Sequence, residues 1–478
     1  MAVYQVLVVD DSAFMRKIVT DLIEVDPEFK VQATASNGKE AIQKTLELKP
    51  DVITMDVEMP EMNGLDALKT IMEGSSVPVI MLSGINEQGM KETIMALEAG
   101  AFDFIRKPSV VHDQDIAQVG KALVERMRAA MEEVKRKAER KESIKKLEIA
   151  RNNTVIPPSQ LLKKDRLTKE MIEPINKTVL PKVPTSEDRN AGVQGRKQPI
   201  IPAYPPKVER TITEKGNIAD HNPSVRANAD KVGKPPESLL DSRKEIKQSN
   251  ASRPTMVKPV TNFASETAAG SPQLNTSHKT SVGLEGPFNQ LIAIGSSTGG
   301  PRALKTLLEK LPADLPAPVI IVQHMPPNFT RSLAQRLNTF SPLHVVEAED
   351  GMILKKGTAY IAPGGFHLRV HKTADGRFML KLSEDQQVNG HRPSVDTLFE
   401  SLLPFTSLQR HLVLLTGMGS DGARMMKRLY EAGVTSTFAE NEETCVVYGM
   451  PRSAVELQCV RHLLPLQEIA PRLVQAVK

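Results

Sequence analysis

The sequence predicts two doubly wound, mostly parallel α/β domains separated by a long unstructured linker. Three observations carry this. A chain of 478 residues exceeds what one ordinary core serves. β-rich apolar runs alternate with helical patterns twice, over residues 1–110 and again from residue 288 onward, a rhythm that implies parallel sheets wrapped by helices. Between these regions the texture changes to Pro, Ser, Thr, Asn and Lys.

In the first region the predicted strands are "YQVLVV", "KVQATA", "DVITMD", "PVIML" and "DFIRK". Helical spacing follows in "IAQVGKALVERMRAAMEEV", expected to pack, and in the strongly charged "KRKAERKESIKKLEIARN", expected to extend into solvent. These give a domain at 1–125 and a helical extension at 126–150. Residues 151–285 contain "VIPPSQ" and "QPIIPAYPPKVER". Between Phe104 and Phe288 the aromatic residues are Tyr204 and Phe263, too little apolar surface to offset the entropy of ordering, so a disordered linker is expected. Residues 286–478 then supply strands at "LIAIG", "PVIIVQHM", "HVVEAE", "TAYIAP", "HLVLLTG" and "TSTFAE".

Composition narrows the function classes. The net charge of +5 is small for the length and its basic residues are spread, which gives no support to nucleic-acid binding; no helix-turn-helix pattern is seen. The two cysteines, Cys445 and Cys459, lack metal-ligand spacing and suggest neither a zinc site nor a disulfide framework. "MAVYQVLVVDDS" has no basic segment and reaches two aspartates after a short apolar run, unlike a signal peptide. No apolar run approaches membrane-spanning length. A soluble cytoplasmic protein is expected.

Asp10 and Asp11 stand where the first predicted strand ends, Asp56 where the third ends and Lys107 where the fifth ends. The carboxyl ends of strands in such a sheet share one edge, so the four groups converge. Clustered carboxylates repel unless a cation joins them, and hard oxygen ligands suit Mg²⁺. An acyl phosphate on Asp56 follows, with Ser83 placed to hydrogen-bond a phosphoryl oxygen and Lys107 to neutralise one. Singly, each aspartate also reads as a helix cap. The motifs "VLVVDDSAFMRK", "PDVITMDVEMPEMNGLDAL", "PVIMLSG" and "DFIRKP" resemble a response-regulator receiver domain over residues 3–125. The resemblance implies a flavodoxin-like fold with a five-stranded parallel sheet, phosphorylation of Asp56 and metal binding by Asp11 and Asp56 with Asp10 nearby. It also implies a further ligand from the Glu58 carbonyl and a switch relay through Ser83, Phe104 and Lys107.

"LIAIGSSTGGPRAL" runs from a strand through a glycine-rich turn into a helix. "GSSTGG" satisfies neither G-x-G-x-x-G nor the P-loop pattern, but Gly295, Ser297 and Gly299 satisfy G-x-S-x-G, a turn that exposes a serine hydroxyl. A helix-capping serine is the plainer reading of five residues alone. A nucleophilic serine needs a base and an acid behind it. His324 follows "APVIIVQ" and Asp421 follows "HLVLLTGMGS", both just beyond predicted parallel strands. The order Ser, His, Asp differs from that of α/β-hydrolases.

The motifs "IAIGSSTGGP", "VQHMPPNFTRSLAQRLN", "GTAYIAPGGFHL", "NGHRPSVDTLFES", "LLTGMGSDGA" and "NEETCVVYGMPRSA" resemble the chemotaxis methylesterase (CheB) family over residues 288–475. That resemblance implies Ser297 as nucleophile, His324 as general base and acid, Asp421 as its orienting acid and the Met418 main-chain N–H as an oxyanion donor. Ser296, where such proteins commonly carry alanine, adds a second hydroxyl; Ser297 alone occupies the centre of the motif. The linker reads as longer than usual for the family. Together the resemblances imply a phosphorylation-controlled protein-glutamate methylesterase, with glutamine deamidation by the same chemistry and no organic cofactor. The implied partners are methyl-accepting chemoreceptors as substrate and a chemotaxis histidine kinase as phosphoryl donor, with membrane contact only through the receptor. The rival reading is a receiver joined to a nucleotide-sensing output.

Overall fold

The computed structural model describes residues 3–84, 86–108, 113–153 and 286–478. The linker expected at 151–285 lies outside them, apart from three residues that end a helix.

The N-terminal part consists of β1 (Tyr4–Val9), α1 (Ala13–Glu24), β2 (Phe29–Ala35), α2 (Gly38–Leu48), β3 (Val52–Asp56), α3 (Gly64–Gly74), β4 (Val79–Ser83), α4 (Glu87–Ala99), β5 (Asp103–Arg106) and α5 (Asp113–Asn153). The strands form one parallel sheet in the order β2-β1-β3-β4-β5. Helices cover both faces, so β3 and β4 are buried at every residue. Ser12, Asn37, Asn63 and Asn86 start the first four helices by accepting the N–H of Met15, Glu40, Asp66 and Gly89, which is why each helix begins just past its strand-end loop.

α5 is one unbroken helix through residue 125, and its packing side, with Leu123, Met127, Ala130 and Met131, is buried. Part of the charged half docks as well. Arg136 donates to the Tyr448 carbonyl at 3.1 Å and pairs with Glu442 at 3.2 Å. An apolar pattern does not register a helix held by ion pairs.

The C-terminal part comprises β6 (Gln290–Ser296), α6 (Gly300–Leu308), β7 (Val319–Gln323), α7 (Phe329–Phe340), β8 (His344–Glu347), β9 (Thr358–Ile361), β10 (His367–Lys372), β11 (Phe378–Ser383), α8 (Val395–Ser401), β12 (Gln409–Leu414), α9 (Ala423–Glu431), β13 (Thr437–Glu440), α10 (Met450–Glu456), β14 (His462–Leu464) and α11 (Leu466–Val477). Its seven-stranded sheet runs β14-β13-β12-β6-β7-β9-β8 with every pairing parallel. β10 and β11 form a separate antiparallel hairpin. Successive residues of β6 feed opposite cores: Ile292 and Ile294 pack in the layer of Leu304, Leu337 and Leu473, and Leu291 and Ala293 in that of Leu398, Phe399 and Leu429. From β6 the chain moves to β7 on one side and β12 joins on the other, so the order reverses beside the end of β6. This is the crevice where open α/β sheets place ligands.

Candidate active site and acidic pocket

Ser297 lies in the turn between β6 and α6, at that reversal. Gly299 takes the left-handed conformation (φ 80°), and a Cβ there would meet Val446 at 2.5 Å, so glycine is required. The Ser297 N–H donates to the Thr416 carbonyl at 3.1 Å, and a Cβ on Gly417 would strike the Ser297 Cβ at 2.8 Å. The loop after β12 therefore lies directly on the serine. Below it, the Thr416 N–H donates to the Glu440 carboxylate at 2.9 Å. Glu440 is fully buried, and burial raises its pKa to about 7 against the hydrogen bond from Thr416.

The neighbouring hydroxyl is occupied. Ser296 is buried and donates to the Gln323 side-chain oxygen at 2.7 Å. The Gln323 amide in turn donates to the carbonyls of Ser297 at 2.9 Å and His324 at 3.3 Å, and the His324 N–H donates to the Ser296 carbonyl at 3.2 Å. One buried glutamine thus ties the serine turn to the histidine loop. Ser297 is only partly buried and lines the cleft.

His324 follows β7, with its side chain 6% exposed, and its Nε2 lies 2.9 Å from the Asp421 carboxylate. Its other ring nitrogen, Nδ1, is buried without a hydrogen-bond partner. Asp421 does not cap α9, whose first turn has no side-chain cap. Its carboxylate instead accepts from Asn389 Nδ2 at 2.7 Å, Ser394 Oγ at 2.9 Å, and the N–H groups of Val395 at 2.7 Å and Asp396 at 3.1 Å. Burial alone would raise its pKa, but the hydrogen bond and charge of His324, with Asn389 and the Val395 N–H, hold it well below the usual carboxylate range. The stretch "NGHRPSVD" supplies four of these donors. Sequence reasoning quoted it without giving it a role, although an Asn-Gly pair and polar side chains in a loop were the available signal.

Ser297 and His324 share a cleft of about 640 Å³ with Met325, His391 and Met418, and its remaining wall comes from β5 and α5, including Asp103, Phe104 and Arg126. Thr298, next to Ser297, donates its hydroxyl to Asp103 at 2.6 Å, and Arg126 pairs with the same carboxylate at 3.3 Å. The Phe104 ring packs on Phe329, at the start of α7, with centroids 4.7 Å apart. Among the described residues, the main-chain N–H groups of Met418 and Thr298 meet no acceptor.

At the other sheet edge, Asp10, Asp11 and Asp56 bring carboxylate oxygens within 4.8 Å of one another, Asp10 and Asp56 buried and Asp11 exposed. Lys107 pairs with Asp10 at 2.8 Å and Asp56 at 2.7 Å. Burial raises the Asp56 pKa to about 6; Lys107 opposes this and Asp10 adds to it. Ser83 accepts from Thr93 Oγ1 at 2.6 Å and donates to the Gly84 carbonyl at 3.0 Å. The Glu58 side chain accepts from Asn86 at 2.8 Å.

Comparison with known proteins agrees with this architecture. Residues 292–473 match the CheB methylesterase family and residues 6–119 the response regulator receiver domain family. The protein-glutamate methylesterase/protein-glutamine glutaminase of Geobacillus kaustophilus is 35% identical over 477 residues, covering 100% of this chain and 99% of the relative. That of Halalkalibacterium halodurans is 34% identical over 475 residues, covering 99% and 98%. The crystal structure of the Thermotoga maritima CheB methylesterase catalytic domain is 43% identical, with a TM-score of 0.38, and covers 39% of this chain and 97% of that one. The chain belongs to the CheB family of receiver-coupled methylesterases.

Proposed function

We propose that the protein is a protein-glutamate methylesterase and protein-glutamine glutaminase acting on methyl-accepting chemoreceptors in the cytoplasm, and that Ser297, His324 and Asp421 carry the reaction. The observation that supports this best is the 2.9 Å bond from His324 Nε2 to an ionised, five-fold hydrogen-bonded Asp421, with the other imidazole nitrogen unpartnered beside the serine cleft. Asp421 fixes the proton on Nε2, so Nδ1 accepts the Ser297 proton as Oγ attacks the γ-carbonyl carbon. The N–H groups of Met418 and Thr298 receive the oxyanion. The imidazolium returns its proton to the leaving group, which departs as methanol from an ester or ammonia from an amide. Water, deprotonated by His324, then hydrolyses the acyl-enzyme to glutamate. No organic cofactor enters these steps.

The receiver part sets the rate. Asp10, Asp11 and Asp56, with the Glu58 carbonyl, fit a hard divalent cation by donor type and convergence, and Mg²⁺ there would offset charge during phosphoryl transfer from a chemotaxis histidine kinase. Asp56 accepts the phosphoryl group, and Lys107 with Ser83 holds it. Asp103, Phe104 and Arg126 wall the cleft in the unphosphorylated chain, which supports occlusion of the esterase by the receiver. No described helix is long and apolar enough to cross a membrane, and contact with one comes through the receptor. Methanol release from methylated receptor, measured for wild type and Ser297→Ala, tests the assignment. An inert wild type that binds nucleotide would replace it with the nucleotide-sensing reading.

A further inference from the structure

The turn that steadies the acid also carries a second imidazole onto the base. Val388 and His391 exchange backbone hydrogen bonds of 3.1 and 3.0 Å around Asn389 and Gly390, whose φ angles of 54° and 79° define a tight type I′-like turn. Asn389 points to Asp421, while the His391 ring lies flat on His324, with centroids 3.7 Å apart and planes within 9°. Two neutral aromatic rings gain little from such a face-to-face arrangement. A neutral ring against a cation gains more, because its π face is electron-rich. In the proposed reaction His324 takes the serine proton and becomes an imidazolium as the transition state forms.

We propose that His391 is a positioning residue of the esterase, holding the His324 plane and stabilising its imidazolium through the stacked π face. This rests on the functional reading above. The stack strengthens as the transition state forms, so it acts on kcat rather than on substrate affinity. It requires a neutral His391. His324, from the loop after β7, is stacked on that ring, and the charged groups that act on it are Asp421, from the loop before α9, and Arg126, from α5. Burial, His324 and Arg126 lower its pKa to about 4 against the opposing pull of Asp421. The adjacent Arg392 turns away to the carbonyls of Glu384 and Asp385.

The test uses the full chain with two readouts, methanol release from methylated receptor and the rate at which a fluorophosphonate labels Ser297. His391→Leu fills the space without a π face, and His391→Phe restores the face without a titrating nitrogen. We expect H391L to lose about tenfold in kcat and in labelling rate with KM within about twofold, and H391F to recover to within about threefold of wild type. An H391L enzyme as fast as wild type overturns the proposal. So does an H391F enzyme as slow as H391L, which would place the role in the ring nitrogens, or a rise in KM with kcat unchanged. If wild type labels with the phosphonate but releases no methanol, the substrate assignment fails while the labelling comparison still decides the role of His391.

Discussion

If the receiver holds the esterase closed, weakening a contact remote from both chemistries should raise the unphosphorylated rate. Glu98 on α4 and Arg336 on α7 provide one. Arg336 Nη2 donates to Glu98 at 3.0 Å and Nε donates to both oxygens at 3.2 and 3.3 Å, while its guanidinium lies over the Phe340 ring at 4.4 Å. The Glu98 side chain is 8% exposed, so screening by salt is weak. Glu98→Gln keeps the shape and one acceptor but removes the charge and the fork. Charge-assisted bonds of this kind contribute about 1.5–3 kcal/mol, and retaining one neutral bond leaves a loss of about 1–2 kcal/mol. At about 1.4 kcal/mol per factor of ten, the closed form loses roughly 5- to 30-fold of its advantage, and basal methanol release rises by that factor while the closed form predominates. The rate after treatment with a small-molecule phosphodonor should stay unchanged. A basal rate within twofold of wild type, or an equal rise in both states, would refute the reasoning, the second because it locates the change within the esterase.

Two further outcomes follow from the site. Ser296→Ala should retain methanol release within about tenfold of wild type, since Ser296 only steadies Gln323, whereas Ser297→Ala should be inactive to the detection limit of the same assay. Glu440 gives a pH signature. Its pKa rises from 4.5 to about 7 on folding, so between those values the folded chain holds a proton that the unfolded chain releases, and stability falls as pH rises through the window. Glu440→Gln removes that slope: melting curves of variant and wild type should coincide near pH 4.5, and the variant should be more stable at pH 8 by up to roughly 3 kcal/mol. Parallel pH dependences would show that Glu440 is not held neutral.

Most of the fold was legible because parallel strands buried on both faces write continuous apolar runs. β3 and β4 stand within a residue of "DVITMD" and "PVIML". β14 escaped because three residues with an exposed Leu463 make no run. The β10–β11 hairpin escaped because only part of each strand is buried, although Asp375-Gly376, with Gly376 at φ 85°, marks its turn. The placement of the candidate residues was legible where chemistry demands a residue type at a strand end, as for Ser297 and His324, which share a cleft, and for Asp56 and Lys107, which pair. The supports were not. Gln323 reads as the polar end of an apolar strand, and nothing in "NGHRPSVD" says that its donors converge on a carboxylate more than 20 residues away.

In the proposed regulation, β5 links the two chemistries over a very short distance. Its first residue, Asp103, accepts the Thr298 hydroxyl beside the nucleophile; its second, Phe104, packs on Phe329 of α7; and Lys107, just past its end, pairs with Asp10 and Asp56. β5 pairs with β4 alone, so it lacks the second ladder that restrains β3 from both sides. A phosphoryl group brings roughly 1.5 to 2 negative charges to Asp56 and forces Lys107 to choose new partners. Four residues of extended chain, about 13 Å, separate Lys107 from Asp103. Whatever displacement Lys107 undergoes therefore bears on an edge strand whose far end is bonded to the serine turn, and the long linker need not transmit anything.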